Sequence, residues 1–143
     1  MMRQMNAFAP MLVAASATII LALGILHLLY TFRGPKLLPR DPDLQTRMSE
    51  VSPVITRETT MWECWVGFNA SHSLGAILFG AVYGYLALWH GTLFFQSYFL
   101  QWLGLLTLAG YVFLAKRYWF SIPFRGIVLA TALYVLALVA NWT

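Results

Sequence analysis

The stretch MWECWVGFNASHSLGAILFGAVYGYLALW, Met61 to Trp89, decides the fold. It is 29 residues of mostly apolar sequence with one formal charge, Glu63. As a helix rising about 1.5 Å per residue it reaches about 43 Å, more than the ~30 Å hydrocarbon core of a bilayer. It also carries Asn69, Ser71, His72 and Ser73, and then the small residues Ala76, Gly80 and Gly84. Polar groups inside a bilayer normally face protein, and small residues four apart let another helix approach closely. The stretch therefore reads as a core-facing transmembrane helix. The small-residue stripe is a packing seam, or a surface for a membrane protein partner or a second copy of the chain.

The whole composition points the same way. Of 143 residues, 60% are hydrophobic and 10% charged, against about 25% charged in soluble domains. The length suits one compact bundle. Several of the six Trp lie near span ends, as in interfacial belts. The single cysteine, Cys64, excludes an internal disulfide and reads as a small apolar filler.

Upstream lies the only long hydrophilic segment, Arg33 to Thr60. Asp41-Pro42-Asp43 reads as a helix start, with Asp as N-cap and Pro in the first turn. Leu44, Met48 and Val51 follow at i, i+4 and i+7, which predicts a short amphipathic helix on the membrane or over the bundle mouth. Ser52-Pro53 ends it and is a candidate start for the next helix. Before this segment, residues 9–32 form an uncharged apolar run. No small-residue cleavage site follows it, so it is expected to be a retained span and not a signal peptide. Gly24, His27 and Thr31 share one face of it.

Downstream, His90-Gly91-Thr92 is a short break, which predicts a helical hairpin into a third span over 93–115. Gly104, Thr107 and Tyr111 lie along one face of that span. Lys116-Arg117-Tyr118-Trp119 ends it, and a fourth span covers 121–141. The expected fold is thus all-α: an antiparallel integral membrane four-helix bundle in a single domain, 1–143.

Basic residues set the expected orientation. Arg33, Lys36, Arg40, Arg47 and Arg57 lie between the first two spans, and Lys116, Arg117 and Arg125 around the last connection. Arg3 stands alone on the other side. By the positive-inside rule both termini are periplasmic, in a bacterial inner membrane. The net charge of +4 is an orientation signal, not a nucleic-acid footprint, so no nucleic-acid partner is expected.

Candidate chemistry centres on His27, Asn69, His72, Ser73 and Tyr111. Counted from the span ends, His27 lies about 7–8 Å deep and His72 about 13–14 Å. Glu63 is about 180° around its helix from His72, so the two do not pair. Three readings stay open. The polar groups bond neighbouring helices; or they line a pocket for a small ligand or lipid head group; or His27 and His72 ligate a b-type haem, as four-helix bundles do. His90, at the far surface, reads as an interfacial histidine. No HExxH, EF-hand, Walker lysine loop or GxSxG elbow is present, so no catalytic residue and no metal ligand is assigned.

The segments GFNASHSLG, Gly67 to Gly75, and GILHLLYTF, Gly24 to Phe32, together with the layout of spans, resemble an uncharacterised family of small bacterial four-helix membrane proteins. The resemblance implies the architecture and supplies no activity. A looser likeness to DoxX-like four-span bundles concerns the fold alone.

The functional expectation is a non-catalytic accessory subunit, or a small-ligand or lipid-binding bundle, with no cofactor assigned. The alternative is a haem- or quinone-linked redox protein using His27 and His72.

Overall fold

Prolines and polar caps divide the chain into helices. The computed structural model describes residues 8–142, and every regular element among them is an α-helix. These are α1 Phe8–Phe32, α2 Pro42–Glu50, α3 Met61–Trp89, α4 Gly91–Gln96, α5 Tyr98–Tyr118 and α6 Ser121–Trp142. The four helices α1, α3, α5 and α6 are long and apolar enough to cross a membrane. Arg3 and the lead-in before Phe8 lie outside the described residues.

Local chemistry explains the helix boundaries. The Asp41 carboxylate accepts from Asp43 N–H at 3.0 Å, and Pro42 opens α2 as expected. α2 buries none of its residues. Pro53, however, does not start α3. A capping box does: Thr60 N–H donates to Glu63 Oε2 at 2.9 Å, and Glu63 N–H donates to Thr60 Oγ1 at 3.2 Å. Each group satisfies a donor that the helix end leaves free. The third span also differs from the single helix expected over 93–115. Ser97 is extended, and its hydroxyl accepts from Leu100 N–H at 3.3 Å, so a new helix, α5, starts there. A serine able to cap outcompetes continuation of the apolar run.

The chain forms two compact units. One comprises 8–23 and 76–142 of the described residues, the other 24–75.

The hydrophobic core lies in the first. Val13, Ile20, Phe79, Tyr83, Phe94, Leu108 and Tyr134 are among its buried members. α1 and α3 meet there at Gly80, where a Cβ would stand 2.7 Å from Ala17 O and 2.8 Å from Leu21 Cα. The seam read from Ala76, Gly80 and Gly84 is thus filled at Gly80 by α1 of the same chain. α5 and α6 pack together, with Gly104 against Tyr134 and Lys116 Nζ 5.9 Å from the Phe124 ring centre.

The unit 24–75 contributes no residue to that apolar core. Gly24 and Ser73 are its buried residues. Hydrogen bonds between its segments, His27 with Asn69 and Trp65 with Leu37, mark out the candidate site.

Candidate functional site

Asn69 sits where α3 faces the end of α1. Its Nδ2 donates to Trp65 O, one helical turn back, at 2.8 Å. That bond fixes the amide and leaves Oδ1 toward α1. Oδ1 lies 3.0 Å from His27 Nε2. An amide oxygen only accepts, so His27 Nε2 carries the proton and donates. In a neutral ring Nδ1 is then the acceptor. The His27 and His72 rings stand 5.4 Å apart between centres, at 89° to one another.

Depths counted from the helix ends differ by about 6 Å for the two histidines. The rings nevertheless meet. The first turn of α3 runs past the end of α1, so counting from each helix end overstates the offset. Trp65 shows this: its indole reaches the loop after α1 and donates to Leu37 O at 3.1 Å.

That loop lies beside Asn69. Gly34 has φ +80°, a backbone shape that favours glycine, and this turns the chain after Phe32. Lys36 Nζ lies 4.5 Å over the Tyr30 ring, a cation–π contact. Beneath the loop is a cavity of about 10 Å³, lined by Tyr30, Thr31, Leu37, Trp65 and Asn69 among others. This is room for about one water-sized guest. Trp65 therefore joins loop and site: its ring holds Leu37, and its carbonyl orients Asn69.

Ser73 is buried and donates to Asn69 O at 2.8 Å, within α3. It thus braces the residue that holds His27. Thr31 donates to His27 O at 2.8 Å. Tyr111 belongs to the other unit, where its ring lies 6.3 Å from that of Trp119. His90 is exposed and bonds the Tyr85 hydroxyl at 3.0 Å. Glu63 is taken up by its cap, where Oε2 accepts from Thr59 and Thr60. Among the described residues no group of three His, Cys, Asp or Glu side chains gathers.

The core unit holds a second polar knot that no sequence motif announces. Tyr83 Oη donates to Leu100 O at 2.9 Å, and Tyr134 Oη to Gln101 O at 3.1 Å. Gln101 Nε2 donates to Phe95 O at 2.9 Å. These bonds tie α3 and α6 to the start of α5 and satisfy the end of α4. Gly104 makes room for the Tyr134 hydroxyl. The Gln101 Oε1 and Ser16 Oγ atoms are buried without a hydrogen-bond partner. Tyr83 and Tyr134 look like ordinary aromatic core residues in sequence. Gln101, in an apolar run, is the one signal there.

A shallow groove on α5 and α6 is lined by Val112, Val128, Thr131, Val135 and Leu136. The Thr131 hydroxyl is engaged by Ile127 O at 2.8 Å, so the groove presents hydrocarbon only.

No family model, curated protein or solved structure matches the chain. The likeness of 24–32 and 67–75 to small bacterial four-span proteins therefore lends no role to any residue.

Proposed function

We propose that this is a non-catalytic integral membrane protein whose unit 24–75 holds a small polar ligand at His27, Asn69 and His72. One observation carries the reading. Two histidines and an oriented amide meet in a unit that has no apolar core residue of its own. Ionisable groups within spans mark functional sites by default, and openable regions are those with few buried apolar contacts. The loop pinned by Trp65 would open to admit the ligand and close over it. The test is purification in mild detergent, followed by mass spectrometry of the small molecules released on denaturation. A stoichiometric species supports the reading, and a bare protein counts against it.

The finer architecture belongs to the same proposal. We take the spans as an antiparallel four-helix bundle. Gly80 near Leu21 and Gly84 near Ala17 support opposite directions for α1 and α3; Gly104 at Tyr134 and Lys116 near Phe124 do so for α5 and α6. α2 would lie as an amphipathic helix at the membrane surface. The excess of Lys and Arg between spans supports both connections being cytoplasmic, with periplasmic termini, in a bacterial inner membrane. As an accessory subunit it would meet its partner through lipid-facing helix surfaces. At Gly80 itself α1 already occupies the seam.

A second reading, b-type haem held by His27 and His72, rests only on the nearness of the two rings, whose direct contact would have to open to admit it. Ligation through His27 Nε2 requires the Asn69 bond to open, which makes this the weaker of the two. A Soret band in protein from haem-replete cells, lost in His72→Leu, supports it; a colourless protein sinks it.

A further inference from the structure

Between α2 and α3 the chain makes a turn with a bare apolar tip. Thr56 N–H donates to Pro53 O at 3.3 Å, which leaves Val54 and Ile55 at the two central positions. Val54 is fully exposed and Ile55 is 91% exposed. Turn centres ordinarily take Gly, Asn, Asp, Ser or Pro. Two β-branched hydrocarbon side chains at such a tip cover no core and violate that pattern. The stem beneath them is closed. Met61 N–H donates to Val51 O at 2.8 Å, and Glu58 N–H donates to Thr56 Oγ1 at 3.1 Å. The tip is therefore held out from its own unit by hydrogen bonds.

Its neighbours continue the apolar surface. Leu44 and Val51 are exposed before it, and Met61, Trp65 and Phe68 are exposed after it along one face of α3. That α3 face belongs to a helix able to cross a membrane. Basic residues flank the turn. Among the described residues the one ion pair is Arg47 with Glu50 at 3.7 Å, so Arg40 and Arg57 have no carboxylate partner.

We propose that residues 42–57 form an interfacial foot. Val54 and Ile55 insert among the head groups and upper acyl chains of the bilayer that α1 and α3 cross, and Arg40 and Arg57 meet lipid phosphates. Lipid is the occupant because the bare tip shortly precedes a helix long and apolar enough to cross a membrane, and because the unpaired guanidinium groups complement phosphate.

The test uses the full chain in nanodiscs of mixed zwitterionic and anionic phospholipid, with no other protein. Cys64 is the sole cysteine, so Cys64→Ser gives a clean background. A nitroxide is attached separately at Val54→Cys, at Ile55→Cys and at the polar control Ser49→Cys. Collision with oxygen, which concentrates in hydrocarbon, is compared with collision with a water-soluble nickel chelate. The foot predicts that a label at 54 or 55 collides several-fold more with oxygen than with nickel, while the label at 49 does the reverse. Two results overturn it: labels at 54 and 55 as open to nickel as the control, or labels shielded from both reagents, which would mean protein covers the tip. The two tip positions read the same turn independently, so failure of one variant to fold leaves the other as the test.

Discussion

His27 Nε2 and Asn69 Oδ1 lie 3.0 Å apart, and the carbonyl of Trp65 decides which of them donates. Trp65 O takes the Asn69 Nδ2 proton at 2.8 Å, so the amide presents oxygen to α1. The His27 ring must then carry its proton on Nε2. Ring ¹⁵N NMR in lipid should show the Nε2–H tautomer for His27. Asn69→Leu should free the tautomer and lower stability by about 0.6–2 kcal/mol, the range for such bonds in membranes. An Nδ1–H tautomer in the native protein would show that the amide is turned the other way.

Gly80 and Gly84 lie one turn apart on α3 and should respond very differently to a methyl group. A Cβ at Gly80 meets main-chain atoms of α1 at 2.7 and 2.8 Å, which cannot yield without moving the helix. At Gly84 the nearest atom is Ala17 Cβ at 3.7 Å, ordinary contact. Gly80→Ala should lower stability by about 1–3 kcal/mol, as overpacking does. Gly84→Ala should be close to neutral. Melting curves of the two purified variants decide it, and equal curves would mean the α1–α3 approach is looser than described.

Four spans are legible in the sequence because an uninterrupted apolar run of bilayer length has few uses outside a membrane. The limits of α3 are legible as well. Its start is also written in Thr60-Met-Trp-Glu63, a capping signature, although Pro53 is the more conspicuous candidate. The break at Ser97 is harder. A serine in an apolar run is usually tolerated, and the bonds of Tyr83, Tyr134 and Gln101 that add to its cap there have no local residue pattern. The meeting of His27 with His72 is beyond reach for a different reason. It depends on helix rotation and on how far α3 overshoots α1, and neither quantity has a local residue pattern. Tyr111 shares helical spacing with polar neighbours, but that spacing says nothing about which unit it joins.

Trp65 couples the loop to the site, so its removal should loosen one without unfolding the other. Trp65→Phe keeps an aromatic ring and loses the bond to Leu37 O, 3.1 Å in the native protein. Amide hydrogen exchange should quicken several-fold across Gly34 to Leu38. The core unit, which holds the buried apolar residues, should keep its protection, because local openings are set by local contacts. Unchanged exchange in the loop would show that Gly34 and Lys36 alone fix it.

His27, Asn69 and His72 either bind a ligand or merely pack, and one measurement separates the two most directly. It is the amount of small molecule retained through mild-detergent purification by the native protein, His27→Leu, Asn69→Leu and His72→Leu. Each variant is first checked for a cooperative melt. A ligand site predicts a near-stoichiometric species on the native protein that is reduced at least tenfold in each folded variant. The contradicting result is equal retention in all four proteins, or no species on any of them, with the three variants each less stable by the cost of a lost hydrogen bond.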